Sequence, residues 1–151
     1  MEQSNETVFF HHLYGYFYFP HRGRVKEFVR ELASLEGKTI ETINYIFCSD
    51  AYLLEVNQQY LNHDTFTDII TFELSEKGQP LVSDVYISID RVKDNAQKFG
   101  ATFTRELLRV IFHGALHLCG YKDKTEKEEK KMRAKEDYYL EYFRVPRDTV
   151  S

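Results

Sequence analysis

The chain contains no tryptophan, only two cysteines and three prolines, and no apolar run near the roughly 20 residues that a membrane-spanning helix requires. Cys48 and Cys119 lie far apart and outside any CxxC spacing, which excludes a disulfide scaffold and a thiolate knuckle. Free thiols in a cytoplasmic protein are the expectation, and the start MEQSNETVFF lacks the basic and apolar segments of a secretory signal. Positive charge is also in short supply. The 20 Lys and Arg against 24 Asp and Glu give a formal charge of −4, which argues against broad attachment to nucleic acid or anionic membrane but leaves a local basic groove open. Repeats, low-complexity linkers and a Gly-rich strand–helix loop for phosphate are missing too.

What is present fits one domain over residues 1–151, long enough to bury a core. The aromatic stretch FFHHLYGYFYFP from Val8 to Phe19 reads as core strands interrupted at Gly15 and stopped at Pro20. A base-stacking surface is its sharper alternative. Val25, Phe28, Val29, Leu32 and Leu35 recur at helical spacing over 22–35 before Gly37. The β-branched run Lys38 to Cys48 predicts a strand, followed by a helix to Tyr60 capped by Ser49 or Asp50. Thr67–Leu74 and Leu81–Ile89 read as further strands, and a polar helix runs from Asp90 to Phe99. Thr125 and Glu128 form a capping box for a charged helix to about Phe143, with Met132, Tyr139 and Phe143 inward and the Lys/Glu mixture solvated. The expected fold is α+β, a mixed sheet of about four strands packed with helices around one buried central helix.

That central helix, from about Thr104 to Cys119, has almost no polar face apart from His113 and His117. Four residues apart, the two imidazoles stand about 40° from each other around the axis and one turn apart along it, so both can face one point. Ordinary core or surface histidines would also account for such a pair. The continuation H-G-A-L-H-L-C-G-Y-K-D adds Gly120 three residues on and Asp123 three further, the spacing of the long zincin motif. Two imidazoles and one carboxylate with an open fourth position are the donor set of a catalytic zinc, and one Zn²⁺ or another divalent ion per chain is expected at His113, His117 and Asp123. Gly114 stands where zincin peptidases carry their general base, which weakens a peptidase reading. Asp68 and Asp84 are candidates for orienting a histidine from behind, or else plain strand-end carboxylates.

At these residues the chain resembles the YbeY endoribonucleases, also called rRNA maturation factors, whose hallmark is HGxLHLxGxDH. Val56–Tyr60 resembles the family's LNxxY, Thr67–Phe72 its TNVLSF-type strand and Asp84–Ile87 its GDIxI strand, so the likeness spans roughly residues 50 to 140. The resemblance implies one metal beside the sheet, hydrolysis of single-stranded RNA, and a part in ribosomal RNA processing and maturation of the ribosomal small subunit. It also implies a mechanism in which metal-activated water attacks a phosphodiester. Two positions depart from the pattern. Asp123 replaces the family's third histidine, after Lys122 where an acidic residue is usual, and Leu61 replaces an arginine thought to meet RNA phosphate. Lys122, Arg105 and Arg109 are the candidate substitutes, and His63 in the NHDTF loop is a candidate cleft residue. The departures keep a second reading open, a metal-binding ribosome-assembly factor that does not cut.

Overall fold

The computed structural model describes residues 6–61 and 67–144, so His63 lies outside the described residues. In it β1 (Val8–His12) leads into α1 (Arg22–Leu35), β2 (Ile40–Cys48), α2 (Asp50–Leu61), β3 (Ile69–Glu73) and β4 (Leu81–Ser88). Three helices follow: α3 (Ile89–Phe99), α4 (Phe103–Leu118) and α5 (Glu126–Phe143). The strands form one sheet in the order β1-β2-β4-β3, parallel from β1 to β4 and antiparallel between β4 and β3. Parallel neighbours need a long crossover, and α1 supplies it between β1 and β2. The mixed α+β sheet expected from the order of elements is therefore the observed one.

Local chemistry sets the helix boundaries. Ser49 Oγ accepts the Tyr52 backbone N–H at the start of α2, Ser88 Oγ that of Arg91 in α3, and Thr102 Oγ1 that of Arg105 in α4. Ser88 thus starts α3 one residue before the expected Asp90. The Thr125–Glu128 capping box opens α5 as its spacing predicts, and Met132, Tyr139 and Phe143 are buried.

α4 is the axis of the core. Leu107, Ile111, Phe112 and Leu116 are fully buried, and α1, α3, α5, β3 and β4 all pack on this helix. A Cβ built on Gly114 would stand 3.0 Å from Ile69 Cδ1 and 3.2 Å from Val85 Cγ1, so the helix rides directly on β3 and β4 there. This contact excludes the zincin glutamate at position 114: a side chain in that place would run into the sheet.

The aromatic N-terminal stretch corrects one expectation. Its strand ends at His12, and residues 13–20 pair with no strand even though they keep a strand-like alternation. Phe17 and Phe19 are buried against Phe47, while Tyr16 and Tyr18 are exposed. The physical reason is that β1 is the edge of the sheet, and beyond Leu13, whose N–H reaches the Phe47 carbonyl, Gly15 at φ +106° carries the chain off the ladder.

The exit of α4 is held from two sides. Gly120, at φ +111°, turns the chain out of the helix. The Tyr121 hydroxyl then donates to Glu36 Oε1 at 2.9 Å, and Lys135 and Tyr139 of α5 donate to Glu36 Oε2. Burial alone would push the Glu36 carboxyl up, but the hydrogen bonds from Tyr139, Tyr121 and Lys135 outweigh it and hold its pKa below the ordinary value. One carboxylate at the end of α1 thereby ties α5 to the loop that carries Asp123.

Candidate active site

One face of α4 opens into a cleft of about 590 Å³. Glu106, Arg109, Val110, His113 and His117 line it from α4. Their spacing of three and four residues is a single helical stripe, so the two histidines share their face with Arg109, a candidate cation from the sequence, and with Glu106, which sequence reading left unassigned. The start of β3 contributes Asp68, the loop after α4 contributes Asp123, and α5 contributes Glu129, Met132, Arg133 and Glu136.

His113 is flanked by carboxylates at both ring nitrogens. Its Nδ1 lies 2.7 Å from Glu136 Oε2 and its Nε2 lies 3.2 Å from Asp123 Oδ2. Burial by itself pushes the imidazole pKa down, but the hydrogen bond to Glu136 and the charges of Glu136, Asp123 and Asp68 outweigh it and raise the value. Glu136 is fixed in turn. Its Oε1 accepts Arg109 Nη1 at 2.9 Å, while Arg109 Nη2 reaches Asp137 Oδ1 at 2.7 Å. Arg109 is held above its usual pKa because these two carboxylates outweigh the effect of its burial.

Two further carboxyls of the cleft, Asp68 and Glu106, are shifted upward. Burial raises Asp68, opposed by the attraction of His113 and assisted by Glu136 and Asp123. Burial likewise raises Glu106, with Arg109 and Arg133 acting against it.

The three residues expected to hold a metal all line this cleft. His113 and Asp123 meet directly, and His117 faces the same space one turn along the helix. Two ligand atoms each about 2.0–2.1 Å from a tetrahedral ion stand about 3.3 Å apart, so the 3.2 Å between His113 Nε2 and Asp123 Oδ2 suits a shared divalent ion. Glu136 on Nδ1 leaves Nε2 as the ligating nitrogen, the usual carboxylate–histidine arrangement behind a metal. Among the described residues no three His, Cys, Asp or Glu side chains already converge as a metal site. The chemistry of the donor set, two imidazoles and a carboxylate with Glu136 behind His113, nevertheless fits a divalent metal.

Asp84 is not part of this constellation. Strand side chains alternate between faces, and Val85 points at α4 while Asp84 points to the other side of the sheet. There it accepts a hydrogen bond from Asn44 Nδ2 at 3.1 Å, so it cannot orient a histidine. Asp68 does stand beside His113. Of the candidate cations, Arg109 lines the cleft, whereas Arg105 lines a separate hollow between the start of α4 and the end of α5, and Lys122 lines neither.

Glu136 was absent from the expected site although its signal was on the page. It falls on the inward stripe of α5 with Met132, Tyr139 and Phe143, and an acid among apolar positions requires a buried partner.

Comparison with known proteins agrees with this geometry. The family description "Endoribonuclease YbeY" matches residues 21–144. The endoribonuclease YbeY of Flavobacterium psychrophilum is 56% identical over 110 residues, 73% of this chain and 78% of the relative. That of Cytophaga hutchinsonii is 50% identical over 137 residues, 91% of this chain and 96% of the relative. Among solved structures, the solution structure of TM1509 from Thermotoga maritima superposes with a TM-score of 0.63 at 30% identity, covering 91% of this chain and 89% of that one. With its HGALHLCG helix backed by Glu136 of α5, a family match over residues 21–144 and relatives 50% and 56% identical, this chain is a member of the endoribonuclease YbeY family.

Proposed function

We propose that the protein is a metal-dependent endoribonuclease that hydrolyses single-stranded RNA and acts in the cytoplasm on ribosomal RNA during maturation of the small subunit. The observation that carries this reading is His113 set between Glu136 and Asp123 in a cleft that His117 also lines, within a chain of this family. His113, His117 and Asp123 would hold one divalent ion, with zinc the expected metal from two imidazoles and a carboxylate. When bound, the ion supplies Lewis acidity toward a phosphoryl oxygen and a water acidified toward neutral pH.

The chain's own residues do the rest. Glu136 accepts a hydrogen bond from His113 Nδ1 and fixes the ring with Nε2 toward the cleft, and Arg109 holds Glu136 in place. Asp68 lines the cleft beside His113 and adds a carboxyl to its surroundings. The free cysteines accord with a reducing compartment, and among the described residues no helix is long and apolar enough to cross a membrane.

Elemental analysis of the purified protein and of His117→Ala and Asp123→Ala, with cleavage of single-stranded ribosomal RNA followed in each, tests the reading. The expected result is about one metal per chain in the parent, lost from both variants together with cleavage. Full metal with no cleavage in the parent would instead select the assembly-factor reading, which Leu61 at the family's arginine position favours. A protein that never takes up metal would refute the site itself.

A further inference from the structure

The cleft is an awkward place for a nucleic acid. It is lined by five carboxylates, Asp68, Glu106, Asp123, Glu129 and Glu136, against two guanidinium groups, Arg109 and Arg133. A phosphodiester entering it must find a cation. Arg109 is not available, because its two terminal nitrogens are bonded to Glu136 and Asp137 and its side chain is largely buried. Turning it toward a phosphate would break its bonds to the buried Glu136 and to Asp137 together.

Arg133 is placed differently. It is exposed on α5, one turn before Glu136, and it lines the same cleft as His113, His117 and Asp123. Among the described residues no carboxylate stands within ion-pair distance of it, Glu129 of its own helix included; it acts on Glu106 only as a charge at longer range. The guanidinium therefore faces an acidic cleft with its forked donors free, the geometry suited to a phosphate.

We infer that Arg133 is the residue of this chain that binds the phosphate backbone of the RNA in the cleft. Arg109 is held by two carboxylates, and Arg105 and Lys122 do not line the cleft. The inference rests on the endoribonuclease reading and assigns Arg133 a binding role, separate from the metal-holding side chains.

The test is steady-state cleavage of a fluorescent single-stranded oligoribonucleotide by the metal-loaded protein over a range of salt concentrations. Arg133→Gln is expected to raise KM about tenfold with kcat within about twofold, since one charge-assisted hydrogen bond is lost. The slope of log kcat/KM against log salt should become shallower by about 0.7, the signature of one fewer phosphate contact on a single strand. Arg133→Lys should restore the slope and only part of the affinity. Because Arg133 is exposed, both variants are expected to fold, which an unchanged melting temperature verifies. Unchanged KM and slope in Arg133→Gln would overturn the assignment while leaving the nuclease reading intact, as would a fall in kcat alone. A parent protein that neither binds nor cleaves the oligonucleotide would overturn both.

Discussion

Glu136 and His113, 23 residues apart on different helices, meet at 2.7 Å between Oε2 and Nδ1. The contact joins the charged C-terminal helix to the apolar central one, and it decides which imidazole nitrogen is offered to the cleft. Because Arg109 grips the other oxygen of the same carboxylate, the ring, the carboxylate and the guanidinium form one chain of fixed groups running from α4 to α5 and back.

Removing that carboxylate should therefore act on metal and stability at once. Glu136→Gln keeps the shape and is expected to weaken zinc affinity about 10- to 100-fold, as loss of a backing carboxylate commonly does. Glu136→Ala also takes from His113 Nδ1 its partner and from Arg109 one of its two carboxylates, Asp137 remaining, and should lower stability by about 1–3 kcal/mol. Chelator competition reads the first effect and urea unfolding the second; wild-type affinity in both variants would mean that Glu136 does not orient His113.

Gly114 gives a packing prediction. Alanine at this helical position would gain at most about 1 kcal/mol in propensity but overpack the contact with β3 and β4 by about 1–3 kcal/mol. Gly114→Ala should thus be destabilised. Ile69→Val removes the nearest atom, Cδ1, and is expected to recover most of the loss in the double variant. Equal costs with and without Ile69→Val in thermal unfolding would show that the strain lies elsewhere.

Glu36 predicts the acid limb of stability. Its folded pKa is depressed below the ordinary 4.5 or so by its hydrogen bonds, so its contribution is fully present above that value and lost as pH falls through the lower folded pKa. Glu36→Gln should destabilise the protein at neutral pH and flatten the decline between about pH 5 and pH 3. Parallel acid limbs in the two proteins, followed by circular dichroism, would refute the role.

The thiols should be slow to react. Burial pushes Cys48 up to about 12 and Cys119 up to about 11, with nearby carboxylates adding to both shifts. Thiolate is the reacting form, so alkylation of Cys119 in the native protein at pH 8 should run about 100-fold slower than in the unfolded chain. Mass spectrometry of timed iodoacetamide reactions measures the ratio, and a ratio near one would show an open thiol.

The sequence by itself determined the elements of this protein and the axis of its site. An apolar helix is legible because burial on most sides leaves a pattern in one short segment, and His113 and His117 break that pattern at the spacing that puts them on one face. The Thr125–Glu128 box is legible for a similar reason, since cap and partner lie within one turn. Even Glu136 belonged to a readable stripe, although nothing local says which partner its carboxylate meets. Only the tertiary structure decided the pairings. Asp68 and Asp84 belong to segments that resemble the family's strands, yet Asp84, inside β4, is turned by sheet alternation away from α4, whereas Asp68 precedes β3 and stands beside His113. Arg109 and Arg133 are both arginines on helices that border the cleft. The packing of α4 against α5 binds the first to two carboxylates and leaves the second facing open space, because ion pairs depend on where helices meet and not on what either helix encodes alone.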